Sequence, residues 1–243
     1  MKPVTIFLIA TASLANAQTP SGEEILGRID RNMSADSRHV ISKMVIHGPR
    51  TTRTIKSETW SEGDQNAFTE YLAPAREKGT KMLKLDDQLW IYSPDTDRTI
   101  QLSGHMLRQS VMGSDLSYED MMNEPDLTQQ YDAVVTGTEW FDNTACWVME
   151  LHATSEEVSY QTRKLWVDKE RYLPLKEELY AKSGKLLKKT ELHDIRRMGN
   201  RWFPGKIIFK DMLKTGKGTE FIVEEIEFNV DIPEYLLSKA ALR

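Results

Sequence analysis

From His39 onward, apolar and polar positions alternate with a period near two in short runs broken by Gly, Pro, Asp or Asn. These runs predict strands near Val40–His47, Arg53–Ser61, Gln65–Leu72, Lys78–Leu85 and Leu89–Ser93. Seven more are predicted near Tyr131–Thr136, Ala145–Ala153, Tyr160–Val167, Leu175–Ala181, Leu186–His193, Trp202–Met212 and Glu220–Asn229. Lys182-Ser183-Gly184-Lys185 and Lys214-Thr215-Gly216-Lys217-Gly218 have hairpin-turn composition. A meander of about a dozen strands must curl to protect its edges, so a barrel or half-barrel is expected. Met82-Leu83 and Trp90-Ile91-Tyr92 are apolar on both parities. A strand covered on one face alternates more cleanly, so these strands should be covered on both.

Two stretches depart from this period. Ser21 and Glu24 form a capping box ahead of Ile25, Leu26, Ile29 and Met33, which share one helical face. Ser103–Pro125 separates the two groups of strands and holds four of the eleven methionines: Met106, Met112, Met121 and Met122. Methionine suits adaptable apolar contacts. Ser117 stands three residues before Asp120, with Asp115, Glu119 and Asp120 supplying negative charge where a helix dipole favours it. A Met-rich loop leading into a short helix reads as a lid. Pro233 followed by Tyr235, Leu236 and Leu237 predicts a short C-terminal helix.

Composition narrows the class. With 40% hydrophobic residues in 243 and a net charge of -5, the chain carries no basic footprint for nucleic acid. A mean hydropathy of -0.51 fits a soluble protein with a core. Met1–Ala17 reads as a signal peptide: Lys2, an apolar core from Val4 to Leu14, and an Ala15-Asn16-Ala17 cleavage site. Residues 18–243 are then expected to form a single periplasmic domain without a lipid anchor, since no cysteine stands at the cleavage point. The one cysteine, Cys146, reads as a small buried hydrophobe.

Catalytic chemistry finds little support. His39, His47, His105, His152 and His193 are scattered, with no zinc-binding spacing. Asp95 and Asp97 lack the rest of a calcium loop, and Ser110 and Ser114 stand in no nucleophile elbow. Glu119 and Asp120 point about 100° apart on a helix and serve its start better than acid–base work. Lys185, Lys188 and Lys189 read as a solvated strand face. The expectation is no enzyme, no metal and no cofactor.

Ordered stretches carry a family resemblance. YLAPAREKGTKML at Tyr71–Leu83, LWIYSPDTDRTIQL at Leu89–Leu102 and MGSDLSYEDMM at Met112–Met122 resemble the outer-membrane lipoprotein-sorting protein family of the LolA-like superfamily. LWVDKERYLPLKEELY and GKLLKK, within Leu165–Lys189, resemble its later strands. The resemblance implies a mainly β fold with a few helices: a curved, incomplete antiparallel barrel covered by short helices and a lid. It also implies binding and carriage of lipids or lipid-modified proteins towards the outer membrane, with an inner-membrane exporter and an outer-membrane acceptor as partners. The ligand-binding candidates are Trp60, Phe68, Met82, Trp90 and Tyr92 on the early strands and Met106, Leu107, Met112, Met121 and Met122 on the lid. A chain of about fourteen methylenes gains roughly 11 kcal/mol on burial, against about 8 for micromolar affinity, so apolar contact could hold a lipid. Alternatives are a sensor or scaffold that binds a protein partner through the same fold, and an enzyme that orients a small aromatic substrate.

Overall fold

The computed structural model describes residues 19–48, 50–122 and 127–242. The expected signal peptide and the last residues of the Ser103–Pro125 stretch, 123–125, lie outside these. One antiparallel sheet of 13 strands organises the chain. Its strands are β1 Ser37–His47, β2 Thr52–Glu62, β3 Asn66–Ala73, β4 Lys81–Leu85, β5 Gln88–Ser93, β6 Arg98–Leu102, β7 Tyr131–Phe141, β8 Thr144–Ala153, β9 Thr162–Asp168, β10 Pro174–Tyr180, β11 Leu186–Met198, β12 Arg201–Asp211 and β13 Gly218–Phe228.

Sheet order runs β6-β5-β4-β3-β2-β1-β13-β12-β11-β10-β9-β8-β7. Two meanders, β1–β6 and β7–β13, are thus welded along β1 and β13, from Arg38 opposite Phe228 to His47 opposite Gly218. The sheet stays open. Its edges are β6 and β7, the strands that the 28-residue connection 103–130 joins. That connection must travel from one edge to the other, and its described residues lie over the concave face. The lid is therefore a consequence of topology.

The sequence reading missed β6, whose first four residues are exposed and show no alternation. It also ended β7 at Thr136, whereas the strand runs to Phe141 through a bulge between Val135 and Gly137. Bulged or short edge strands resist edge-to-edge pairing.

Three covers complete the core. Helix α1, Gly22–Met33, begins as expected with Ser21 accepting from the Glu24 amide. It lays Ile25, Leu26 and Ile29 on Trp147, Met149, Leu151, Leu165 and Val167, joined by Leu127 of the short α3, Leu127–Gln130. The fit is close: a Cβ on Gly22 would lie 2.2 Å from the Ala133 carbonyl oxygen of β7. The second cover is the connection itself, with 3-10 turns at Gly104–Arg108 and Val111–Gly113 and helix α2 at Tyr118–Met122. The third is the C-terminal segment, two 3-10 turns at Glu234–Leu237 and Lys239–Leu242.

Register explains why the early strands are apolar on both parities. Trp60, Phe68, Leu83 and Trp90 are direct neighbours across β2–β5. One residue away, Thr59, Thr69, Met82, Ile91 and Ile100 form a parallel row across β2–β6. Successive residues of a strand face opposite ways, so the rows occupy opposite faces. The first packs under Leu236, Ala241 and Leu242 of the C-terminal segment; Met82 and Ile91 of the second pack under the connection. Cys146 is fully buried beside Val148, Trp166, Leu173 and Leu175, and burial pushes its thiol up to about 11.

Candidate functional site

Between the α1 cover and the connection, the concave face leaves a cavity of about 990 Å³. That is the upper end of the ~300–1,000 Å³ typical of small-molecule sites. Both meanders line it. Its apolar wall includes Val40, Met44, Ile55, Leu165, Leu179, Leu192, Phe203, Ile207, Phe209, Phe221 and Val223, with Ile29 and Met33 from α1 and Val111, Leu116, Met121 and Leu127 from the covering segments. Exposed Asp64, Ser155 and Glu157 stand at its rim, so it opens to solvent.

A hydroxyl floor crosses the early strands. Ser42 and Ser57 share a hydrogen bond of 3.1 Å, and Thr59 and Thr69 one of 2.9 Å. Ser57, Thr59 and Thr69 line the cavity. Paired to each other, these hydroxyls present a satisfied surface that costs little to cover with hydrocarbon.

Charged groups cluster on the β9–β11 side. Arg163 on β9, 9% exposed, donates from Nε to the Tyr131 hydroxyl (2.8 Å) and from Nη1 to Glu177 (2.9 Å). Burial opposes its charge, but Glu177 and Tyr131 outweigh that and raise its pKa above the ordinary arginine value. Arg163, Leu165 and Val167 share one strand parity, which places a guanidinium in an otherwise apolar row.

The connection is fastened at several points. Asp115 accepts from the Asp211 amide (2.9 Å) and from the Thr219 hydroxyl (2.9 Å), tying it to β12 and β13. Arg53 of β2 donates to the Met112 carbonyl. At the start of α2, Ser117 donates its amide (2.7 Å) and hydroxyl (2.7 Å) to Asp120, and the Asp120 amide returns to the Ser117 hydroxyl. This is the capping box expected from the sequence. Asp120 also accepts from Tyr160 (2.6 Å) and pairs with Lys188 of β11, while Lys84 of β4 donates to the Met122 carbonyl (2.7 Å). Helix α2 thus bridges the two meanders above the cavity. Burial pushes the Asp120 carboxyl up; Lys188, Tyr160 and Ser117 together outweigh it and hold it below the ordinary carboxylate value.

The ten candidates divide between the two faces of the sheet. Met82, Met106, Leu107, Met112 and Met122 pack in the cluster beneath the connection, beside Tyr71, Leu89 and Val111. Trp60, Phe68, Trp90 and Tyr92 lie on the opposite face beneath the C-terminal segment. Met121 lines the cavity. Lys188, expected on a solvated face, has a side chain only 17% exposed and is engaged with Asp120, because its parity turns it inward. The polar wall of Arg163, Glu177 and Tyr160, with Tyr131 hydrogen-bonded to Arg163, was missed from sequence. Its signal was Arg163 on the apolar parity of β9.

A family model described as an uncharacterized protein matches residues 63–243. The chain belongs to that family. Solved structures add the fold. A DUF1329 family protein from Desulfovibrio piger superposes with a TM-score of 0.83 at 24% identity, covering 91% of this chain and 98% of that one. A domain assigned to outer membrane lipoprotein sorting from Vibrio parahaemolyticus gives 0.79 at 23% identity, covering 91% and 97%. A LolA superfamily protein from Nitrosomonas europaea gives 0.74 at 24% identity, covering 92% and 100%. No curated protein matches the chain. The fold is LolA-like, as the resemblance in Tyr71–Met122 implied, and the open LolA-like sheet puts its concavity under the connecting segment.

Proposed function

We propose that the protein binds the acyl chains of lipids or of lipid-modified proteins in the concave cavity and carries them through the periplasm towards the outer membrane. The observation that supports this most is the cavity itself: about 990 Å³ of space between largely apolar walls, on a sheet whose opposite face is closed by the C-terminal segment. Apolar surface left uncovered next to solvent carries a free-energy cost of roughly 25 cal/mol per Å² that a guest would relieve. Its fold relatives include a LolA superfamily protein and a domain assigned to lipoprotein sorting, which makes acyl cargo the natural occupant to test. On this reading the leader delivers the mature chain to the periplasm. An inner-membrane exporter loads it and an outer-membrane acceptor unloads it, and the protein acts by binding rather than by catalysis.

The test is direct. Protein purified from its native host is extracted with organic solvent, the extract is analysed by mass spectrometry, and the emptied protein is titrated with a fluorescent fatty acid. Acyl lipid at near-stoichiometric amounts and saturable uptake are expected. Protein that is repeatedly free of lipid and takes up none would overturn the reading.

A further inference from the structure

The cavity wall is apolar or internally satisfied at most described positions, and the guanidinium of Arg163 presents an unengaged edge to it. Two of its nitrogens are engaged, Nε with Tyr131 and Nη1 with Glu177. Nη2 has no hydrogen-bond partner among the described residues, although the side chain is about nine-tenths buried and borders the cavity. Arginine presents five donors in a rigid fork, so the unused edge has a fixed direction. Three part-buried lysines that also line the cavity are engaged: Lys188 with Asp120, Lys189 with Glu178 (3.0 Å) and Lys210 with the Lys214 carbonyl (2.7 Å). A donor held in a largely apolar cavity is costly to leave unmade once hydrocarbon displaces water from it.

Charge decides which acceptor suits it. Glu177 already pairs with Arg163 at 2.9 Å, and Asp120 with Lys188, so each of these two cations has its carboxylate before any guest arrives. An anionic headgroup would add an unmatched charge in a site of low dielectric. A neutral carbonyl oxygen satisfies Nη2 without disturbing either pair.

We propose that Arg163 is the polar anchor of the cavity, donating from Nη2 to the carbonyl oxygen of an acyl ester or amide, so that the site selects acyl-linked amphiphiles over bare hydrocarbon and over free carboxylates. This rests on the acyl-binding reading above and adds the group recognised. Glycerolipids and acylated polypeptides both supply such a carbonyl.

The experiment uses the full mature protein and a cavity-bound fluorophore, displaced in turn by methyl palmitate, hexadecane and palmitate presented from cyclodextrin. Methyl palmitate is expected to compete about tenfold or more better than hexadecane, the range of one hydrogen bond to a charged donor, and better than palmitate. In Arg163→Gln/Glu177→Gln, which removes both charges together and leaves no unpaired carboxylate behind, that preference should fall close to unity, with the fold checked by the melting temperature. Methyl palmitate labelled with carbon-13 at the carbonyl supplies a second readout: its infrared band should shift to the hydrogen-bonded position in the wild-type complex. This readout stands even where the double variant folds poorly. Equal competition by ester and hydrocarbon, a carbonyl band at its free position, or tighter binding of palmitate than of the ester would each overturn the proposal while leaving the cavity an acyl site. Failure of every probe to enter would instead overturn the acyl-binding reading, and this proposal with it. A diacylglycerol and a triacylated lipopeptide, compared in the same assay, then identify which source of the carbonyl is preferred.

Discussion

The two faces of β2–β5 are built one residue apart and end in opposite states. On the outer face, Trp60, Phe68, Leu83 and Trp90 form a ladder that the C-terminal segment closes with Leu236, Ala241 and Leu242; Leu83 is fully buried and Phe68 is 2% exposed. Lys239 lies 4.2 Å over the Trp90 ring and Lys81 donates to the Ala241 carbonyl at 2.8 Å, pinning that cover. On the inner face, smaller and hydroxylated side chains, Ser57, Thr59, Ala67 and Thr69, line space. Large aromatic residues fill a flat contact; small residues on the concave side of a curved sheet cannot reach across it, and a void remains. The difference separates what holds the sheet together from what holds a guest.

The comparison can be broken at its strongest point first. Leu83→Ala empties the centre of the outer ladder and should cost about 2–5 kcal/mol in denaturant unfolding, with acyl uptake unchanged once the protein is folded. If uptake fell while stability held, the outer face would not be merely structural.

Asp120→Asn tests the bridge over the inner face. It should lower stability by about 1–3 kcal/mol at neutral pH, as expected for loss of a partly buried charged hydrogen-bond set. The sign of the pH dependence follows from the depressed carboxyl: its contribution is fully present above the ordinary value of 3.8 and is lost as pH falls below it. Unfolding followed from pH 5 to pH 2.5 should therefore show a steeper acid loss in wild type than in Asp120→Asn.

Ala67→Trp places bulk in the cavity from β3. Uptake should weaken at least about tenfold, equal to roughly 1.4 kcal/mol, with the melting temperature nearly kept because empty space accepts the ring. A smaller change is expected from Met121→Asp. Met121 lines the cavity but is 38% exposed, and a loss of capture below about tenfold should come without loss of stability.

Much of the architecture was legible because period-two runs and turn residues survive in every strand whose faces differ. β6 was not legible, since Arg98, Thr99, Ile100 and Gln101 are all exposed and have no inside to report. The capping boxes at Ser21 and Ser117 were readable because their chemistry is local. The site was harder. Periodicity shows that Trp60 and Phe68 share a face with Trp90, but which face is concave depends on the sense of curvature and on where residues 232–242 return, and neither is written in a local pattern. Lys188 and Arg163 carried a faint signal, a charge on an apolar parity, which a reading of charge runs as solvated faces passes over.

The account depends on the concave cavity holding an acyl guest, and the most direct measurement is native mass spectrometry of the mature protein, before and after delipidation and re-incubation with a defined ester lipid. A mass increase equal to one lipid, lost on delipidation, regained on incubation and blocked in Ala67→Trp, is the predicted result. A single unliganded mass under all three conditions would contradict it.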